Sequence, residues 1–354
     1  MKTEWEKFLE KAGAVIENGS VATFGNPERE LRVVNTGSIL SDLSHIGLIA
    51  VYGKDAKEFL QGQFTNDINQ VTETHSQLSS MCNPKGRMLA IFRVFMRSDT
   101  YYLRIPHEIL EDTLKKLRMY VLRSEVTLED ATDTFVRIGL SGPNCESQLK
   151  DVIGQIPEAV DDVVQTDNLT VLRIPGINPR FVIIGESDAM QKVWGKLDVH
   201  AAPIGSDVWA LINVLAGIPT IYKETMDMFV PQMVNFDMIN GINFKKGCYT
   251  GQEIVARMHY LGKLKQRMYL AHAVTNEAPP PGTSLYTRDT SNKQSIGNIV
   301  DSRPSTDGNY NLLVVLKTDN IGKHEICIGS SDGAKIEIKE LPYSDALNSP
   351  EAEK

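Results

Sequence analysis

The residues with the most reactive chemistry lie in one segment, FKKGCYTGQEIVARMHYLGKLKQR, which runs from Phe244 to Arg267. Its single thiol, Cys248, follows Lys245 and Lys246 and precedes the start of a helix. A cysteine attacks or ligates as the thiolate, and nearby ammonium groups and helix N-termini lower the pKa of such a thiol. The pattern therefore indicates that Cys248 is reactive. The alternative is that Cys248 is a buried structural thiol, which is common for free cysteines.

The same segment is a basic island in an acidic protein. Six Lys and Arg residues, Lys263 among them, stand against Glu253 alone and give the segment a charge of +5, whereas the whole chain carries -8. A localised patch of this kind favours a small anionic partner, such as a carboxylate tail or a few phosphates, and a solvated helix face is the alternative. Because the pI is about 5.5 and no basic RNA motif interleaved with aromatic residues is present, we expect no stable nucleic-acid complex.

Composition indicates a globular protein of two or three domains, with 354 residues, 42% apolar and 23% charged. No apolar run approaches the ~20 residues that span a bilayer, and the N-terminus lacks an apolar signal core. We therefore expect a cytoplasmic protein without a membrane segment, and we expect a monomer.

The four cysteines, Cys82, Cys145, Cys248 and Cys327, lie more than 50 residues apart without a CxxC or CxxH pair. That spacing argues against a zinc site and against a locally ligated iron-sulfur cluster. We expect reduced thiols and no permanently bound metal.

Two segments about 80 residues apart share a strand-strand-helix plan. Met88 to Pro106 contains two β-rich runs around a Ser98-Asp99 turn, and a helix is predicted over residues 107–122. Residues 169–185 repeat the two runs, and Ser187 is placed to cap a helix over residues 188–197. The repeat predicts two similar α+β lobes with antiparallel sheets.

The chain changes character from Gln266 onward. Short strands alternate with turn clusters such as APPPG and RPSTDG about every ten residues. This pattern predicts a small β-barrel or sandwich.

A second group of polar residues surrounds Asp67. Residues 47–52 alternate as a strand, residues 54–63 have apolar side chains on one helix face, and Thr65, Asn66 and Asp67 close the unit. On spacing alone Asp67 is either a turn or cap residue, which is the commoner case, or a catalytic carboxylate.

These motifs together resemble a known family. FKKGCYTGQE at residues 244–253, VPQ at 230–232, GQ at 62–63 with Asp67, and PKGR at 84–87 resemble the YgfZ family of folate-binding proteins. Its members are relatives of the glycine-cleavage T-protein and of a mitochondrial factor that matures iron-sulfur proteins. The likeness runs from about Ser41 to about Tyr343, within the C-terminal LPYS.

The resemblance implies an α+β fold with two ferredoxin-like α+β lobes and a C-terminal antiparallel β-barrel, arranged as a ring. We expect a first lobe over residues 1–130, a second lobe with the KGCYTGQE motif over 131–264, and the barrel over 265–354. The two lobes could be contiguous or could exchange segments.

The resemblance also implies site residues. Cys248 matches the family's thiol, and Asp67 matches the carboxylate that T-proteins place near the folate amines, where it can steer protonation. Tetrahydrofolate is the implied cofactor. The expected contacts to it are made by Asp67, Arg87, Lys246, Tyr249, Gln252, Glu253 and Arg257, with Arg87 and Arg257 suited to a glutamate tail.

One position departs from the family pattern. A motif of the type NxEAGxP supplies a glutamate that holds the pterin, but residues 213–219 read NVLAGIP, with Leu215 in the acidic position. Leucine accepts no hydrogen bond, so a conventional folate pose would lose about 1 to 3 kcal/mol. The alternative for Leu215 is an ordinary helix core residue.

Three functions follow. The first is an accessory protein in iron-sulfur cluster synthesis or repair, which supports tRNA thiolation by iron-sulfur enzymes through Cys248. Its partners would be folate and iron-sulfur proteins or their assembly factors. The second is a tetrahydrofolate-dependent enzyme like the aminomethyltransferases, which Leu215 disfavours. The third is a direct tRNA-binding module.

Overall fold

The computed structural model describes residues 1–262, 264–288 and 294–344, and Lys263 of the basic island lies outside these ranges. The helices are α1 Thr3–Lys11, α2 Pro27–Val33, α3 Ala56–Gln61, α4 His107–Met119, α5 Cys145–Ile153, α6 Ser187–Leu197, α7 Ser206–Leu215 and α8 Gln252–Leu261. The strands are β1 Val15–Glu17, β2 Ser20–Thr23, β3 Ile39–Asp42, β4 Ile46–Tyr52, β5 Gln77–Cys82, β6 Met88–Arg97, β7 Thr100–Pro106, β8 Thr127–Asp130, β9 Val136–Ser141, β10 Val163–Gln165, β11 Leu169–Arg173, β12 Arg180–Gly185, β13 Ala202–Ile204, β14 Gln266–Ala273, β15 Ser284–Thr287, β16 Gly297–Pro304, β17 Tyr310–Lys317, β18 Ile326–Ile328 and β19 Lys335–Lys339.

The first sheet has five strands in the order β5-β6-β7-β4-β8. Its hairpin between β6 and β7 turns through Ser98 and Asp99, both with positive φ, as a two-residue turn of this type requires. Arg97 pairs with Thr100 directly beside the turn. Helix α4 packs on this sheet and buries Ile109, Leu114 and Leu117.

The second sheet has six strands in the order β10-β11-β12-β9-β3-β13. Side chains alternate between the faces of a strand. On β9 and β12 the face with Ile138, Leu140 and Ile183 belongs to a core that also contains residues of α1, α5 and α6. The opposite face of these two strands contains Arg137, Ser141 and Arg180 beside the buried apolar residues Val182 and Ile184.

The C-terminal strands form a closed barrel in the order β14-β17-β16-β15-β18-β19. The barrel encloses its own apolar core, which includes Leu285, Leu312 and Val314. Closure leaves no free sheet edge. The predicted fold class, α+β with a terminal antiparallel barrel, is therefore confirmed.

The chain separates into two compact units, each built from non-consecutive segments. Unit 1 contains Met1–Phe59, Asn69–Gln77 and Phe92–Ile212, and unit 2 contains Leu60–Ile68, Leu78–Ile91 and Asn213–Lys354. The division into three domains at residues 130 and 264 and the arrangement as a ring stay predictions.

Both strand-strand-helix repeats occur where the sequence predicts them, as β6, β7 and α4 and as β11, β12 and α6. Helix α6 begins at Ser187 itself, with Glu186 at the N-cap, so Ser187 is not the cap. Within the described ranges, we find no helix with the length and apolarity that crossing a membrane requires.

Candidate functional site

Lys246 anchors the KGCYTGQE motif in unit 2. Its ammonium donates hydrogen bonds to three backbone carbonyls, those of Gln61 at 2.8 Å, Phe64 at 2.6 Å and Asn66 at 3.0 Å. An ammonium has three donors, so all of them are used. Burial lowers the pKa of Lys246 to about 8, and the carboxylate of Asp67 acts in the opposite direction.

The loop that receives Lys246 is also joined to the segment before the motif. The amide of Asn66 donates to the Asn240 carbonyl at 2.7 Å, and the Thr65 hydroxyl donates to the Gly241 carbonyl at 2.8 Å. The backbone N–H of Asn243 donates to the Thr65 carbonyl at 3.0 Å. Two segments about 180 residues apart in sequence therefore form one rigid substructure.

Asp67 lies at the end of this loop and is half-buried. Its carboxylate accepts a hydrogen bond from the Gln61 amide at 2.9 Å, and the Gln61 side-chain oxygen accepts one from the backbone N–H of Ile68. Gln61 therefore holds Asp67 in place. A carboxylate held this way can accept a proton or a hydrogen bond from a ligand amine.

Two glycines explain the spacing of the PKGR and KGCYTGQE motifs. Gly251 is the N-cap of α8 with φ of 84°, and a Cβ there would lie 2.4 Å from the Asn83 carbonyl oxygen. Gly86 has φ of 70°, and a Cβ there would lie 2.8 Å from the Cβ of Ile254. The PKGR turn and the start of α8 can pack this closely only because both positions lack a side chain.

Cys248 lies between the anchored Lys246 and the N-cap Gly251. It is exposed, whereas Cys82, Cys145 and Cys327 are buried. Burial raises the pKa of Cys82 to about 12 and that of Cys145 to about 12. Of the four thiols in the chain, Cys248 is therefore the one that solvent and solutes reach.

Arg87 is directed at backbone oxygens. Its guanidinium donates to the Met228 carbonyl, and its backbone N–H donates to the Asn83 side chain at 3.0 Å. The Asn83 amide in turn donates to the Asp227 carboxylate. Arg87 thus braces the PKGR turn, and a contact of its remaining donors to a ligand stays a prediction.

The other expected contact residues lie on or just before α8. Gln252 is half-buried, and its amide is 3.5 Å from the Gly247 carbonyl, while Glu253 and Arg257 are exposed one turn apart. Tyr249 is buried with its ring centroid 5.1 Å from the ammonium of Lys246, and burial raises the pKa of Tyr249. Tyr249 therefore supports Lys246, whereas Glu253 and Arg257 face solvent.

The sequence pattern does not reveal an aromatic cluster on the same segment. The rings of Phe244 and His259 stack with centroids 3.7 Å apart, and Tyr260 meets both rings edge-on. The sequence shows that Phe244, His259 and Tyr260 lie in the same segment, but their contact depends on the turn before α8, which brings Phe244 back beside the helix.

Leu215 ends α7 and is half-buried, so it is not a fully buried core residue. Two residues later Gly217 has φ of 68°, and its carbonyl accepts a hydrogen bond from the Tyr343 hydroxyl at 2.7 Å. A Cβ at Gly217 would lie 2.7 Å from the Tyr343 ring. This contact joins the glycine of NVLAGIP to the tyrosine of LPYS.

The donors and acceptors fit tetrahydrofolate in part. Asp67 offers a held carboxylate, but Lys246 has no free donor and Leu215 has no acceptor for a pterin edge. Among the described residues, we find no group of three or more His, Cys, Asp or Glu side chains arranged to hold a metal ion.

Comparison with known proteins agrees with the motifs. A sequence profile described as the GCVT N-terminal domain matches residues 8–185. The tRNA-modifying protein YgfZ of Colwellia psychrerythraea is 31% identical over 307 residues, which are 86% of this chain and 93% of that protein. The protein of the same name from Klebsiella pneumoniae is 30% identical over 306 residues, 86% of this chain and 93% of its own length.

A solved structure shows the same fold. The glycine cleavage system aminomethyltransferase T from Bartonella henselae superposes with a TM-score of 0.78 at 16% identity, covering 96% of this chain and 97% of that one. At this identity the likeness concerns the fold alone. The sequence identities to the two curated relatives extend over most of both chains, and on that basis this chain belongs to the YgfZ family.

Proposed function

We propose that this protein is an accessory factor of tRNA modification, which supports iron-sulfur enzymes through the thiol of Cys248. The role in tRNA modification rests on the relatives, both of which are named tRNA-modifying proteins. The role of the thiol rests on one observation: Cys248 is the exposed cysteine of the four, on a segment fixed on one side by Lys246 and on the other by Gly251.

The arrangement suits a thiol that binds and releases a cargo. An exposed cysteine on a rigid turn presents its sulfur without a conformational change, and ligation of iron by the thiolate releases one proton to solvent. A single protein sulfur leaves the remaining iron positions to the donor and the acceptor of the cargo. Transfer is therefore easier than permanent storage.

Tetrahydrofolate is a proposed ligand of the same unit, and when bound it carries one-carbon groups. Asp67 is the residue that would contact a folate amine, because its carboxylate is held by Gln61 and half-buried. Lys246 would act through the loop that contains Asp67, since all three of its donors are occupied. Arg257 is exposed on α8 and is available for a glutamate tail.

Complementation tests the role of Cys248. In a strain that lacks its own YgfZ homologue, we expect Cys248→Ala to fail to restore thiolated tRNA nucleosides and iron-sulfur enzyme activity. Lys245→Ala is the control three residues before Cys248, because Lys245 is exposed and its side chain is not part of the anchor. Full restoration by Cys248→Ala at normal protein level would remove the thiol from the mechanism.

A chemical test is independent of the strain. Alkylation of the native protein at neutral pH, read by mass spectrometry, should label Cys248 before Cys82, Cys145 and Cys327, because the other three are buried. If Cys248 is the slowest of the four, the proposal is wrong.

A binding test separates this function from direct tRNA recognition. We expect no specific tRNA binding at physiological salt, and below it only weak binding with a log-log slope of about -0.7 for each phosphate neutralised. Sub-micromolar tRNA affinity at physiological salt would instead identify a tRNA-binding module.

A further inference from the structure

Unit 1 contains two arginines that face each other across a strand pair. Arg93 on β6 is directly opposite Arg104 on β7. Side chains of directly opposed residues lie on the same face with Cβ atoms about 5 Å apart, and like charges there are destabilising. Two opposed arginines such as Arg93 and Arg104 therefore need a nearby negative charge to offset their repulsion.

The second sheet of unit 1 contributes two more arginines. Arg137 on β9 pairs with Ile184, and Arg180 on β12 pairs with Ser141, so by alternation both arginines lie on the same face. This face lies opposite the apolar core with Ile138 and Leu140, and it also contains Val182 and Ile184. The Trp209 ring covers it, because a Cβ at Gly139 would lie 2.4 Å from that ring.

The two sheets that carry these pairs are joined by a direct contact, because Arg93 pairs with Asp161, whose backbone N–H donates to the carbonyl of Arg173 on β11 at 2.9 Å. Burial lowers the pKa of Arg104 to about 9, and the positive charges of Arg93 and Arg137 act in the same direction. Burial also lowers the pKa of Arg180 well below its usual range, again with help from Arg104 and Arg93. Four guanidinium groups therefore share one interior region of unit 1.

Carboxylates around this region act on Arg93 and on Arg137. Asp161 forms an ion pair with Arg93, and Asp42, Asp133 and Asp130 act on Arg137. Asp42 itself is fully buried, and burial raises its pKa, so its negative charge is costly to maintain. The guanidinium of Arg180 lies 4.3 Å from the centroid of Trp209, which is a cation-π contact, and it donates a hydrogen bond to the Trp209 carbonyl at 3.5 Å.

Arg104 is the member of the group that has no partner. It forms no hydrogen bond or ion pair with any described residue, and its Nε is buried without an acceptor. The Nε of Arg137, whose side chain is 3% exposed, also has no acceptor in the part of the chain that the structure describes. A buried donor without an acceptor costs about 1 to 3 kcal/mol, and more when it is charged, so a guanidinium in this state is rare.

We propose that Arg104, with Arg93, Arg137 and Arg180, forms a binding site in unit 1 for the oxyanion of a small ligand, either a carboxylate or a phosphate. Arg104 presents an unused planar set of N–H donors, which matches the paired oxygens of either group. The residue is half-buried, so a ligand can reach it from solvent. Trp209 supplies an apolar wall beside Arg180.

This site is separate from the proposed function, which rests on Cys248 and Asp67 of unit 2. Failure of one proposal therefore leaves the other untouched. The test uses the full chain and one small anionic probe of each class, with chloride at matched ionic strength as the reference.

Thermal unfolding and calorimetry measure the binding. With pyrophosphate or γ-glutamylglutamate at about 100 times the dissociation constant, the wild-type Tm should rise by about 5 °C. Arg104→Met keeps the length of the side chain and removes the charge. In chloride alone this variant should melt about 2 °C above wild type, because the repulsion with Arg93 is gone, and anions should then shift its Tm by less than about 1 °C.

Two further variants control the result. Arg123→Gln removes an exposed arginine of unit 1 and should keep the full anion shift. Arg104→Lys keeps the charge but loses the planar donors, and it should keep a reduced shift. A shift with one probe class alone identifies that class as the ligand, and both outcomes support the site. Equal shifts in wild type and Arg104→Met, or no shift with either probe, would overturn it.

Discussion

Lys246 donates all three of its ammonium hydrogens to carbonyls of the loop at residues 61–66, whereas the guanidinium of Arg104 makes no hydrogen bond with a described residue and faces Arg93. Lys246 is buried, and the Nε of the half-buried Arg104 is also removed from water. One receives its compensation from the chain itself, and the other does not. Lys246 therefore stabilises the structure of its own site, whereas Arg104 keeps donors that we propose a ligand uses.

The same reasoning changes the meaning of the KGCYTGQE motif. A lysine close to a cysteine suggests a charge that lowers the pKa of the thiol, but Lys246 donates all its hydrogen bonds to carbonyls of the loop at residues 61–66. Its contribution to Cys248 and Asp67 is positional. The exposed Lys245 is then the lysine of the pair that remains available to solutes.

The largest expected effect tests the satisfied cation. Lys246→Met leaves three carbonyls without their donor, and we expect the free energy of unfolding to fall by about 3 to 5 kcal/mol, measured by urea denaturation. Lys245→Met, at an exposed neighbour, should change it by less than about 0.5 kcal/mol. Similar values for the two variants would contradict the anchoring role.

The next effect tests the turn that holds the anchor. Gly251→Ala places a Cβ 2.4 Å from the Asn83 carbonyl oxygen at a positive φ, and we expect a loss of about 2 kcal/mol with weaker folding of unit 2. Gly247→Ala is the matched control, because a Cβ there meets nothing within 4 Å. Equal tolerance of both changes would mean that the PKGR turn is free to move.

A third change places a carboxylate at position 215, where this chain has leucine and the family motif has glutamate. If Leu215 weakens pterin recognition, Leu215→Glu should tighten tetrahydrofolate binding by about 10 to 100 fold in calorimetry. Leu215→Gln matches the size without the charge and should gain less. Unchanged affinity in both variants would show that the pterin binds elsewhere.

The smallest effect is a pH dependence. The pKa of Lys246 is lowered to about 8 in the folded protein, so between pH 8 and its usual pKa the unfolded chain binds more protons and stability rises with pH. The free energy of unfolding of wild type minus that of Lys246→Met should rise by about 1 kcal/mol from pH 7.5 to 9. In Asp67→Asn the rise should begin at a lower pH, because the carboxylate that raises this pKa is absent. A flat difference would show that the ammonium is not desolvated.

Local patterns predict much of the fold. Alternation and turn residues give the two strand-strand-helix repeats and the barrel strands, because hairpins and barrels join neighbours in sequence. The pairing of Arg93 with Arg104 also follows from a two-residue turn at Ser98 and Asp99. What the sequence does not give is the approach of the second sheet with Arg137 and Arg180, since that depends on packing between distant elements.

The residues of the candidate site also fall into those that the sequence predicts and those whose roles depend on tertiary contacts. The motif identifies Cys248 and Gly251, but the function of Lys246 depends on carbonyls about 180 residues earlier, and no propensity encodes such a contact. The stacking of Phe244 on His259 likewise requires the path of the turn before α8. Sequence identifies the reactive groups, whereas the partners that fix them come from tertiary structure.

The interleaving of the two units has a consequence for synthesis on the ribosome. All segments of unit 1 have been translated by residue 212, whereas the loop with Asp67 belongs to unit 2 and is made long before its partner. At roughly 5 to 20 residues per second, Asn66 leaves the peptidyl-transferase centre about 10 to 40 seconds before Lys246 is added. During this interval the carbonyls of Gln61, Phe64 and Asn66 lack the ammonium of Lys246, and the Tyr343 bond to Gly217 can form only after Tyr343 has been added. A slow codon or a stop before Tyr343 would therefore leave unit 1 fully translated and unit 2 unfinished.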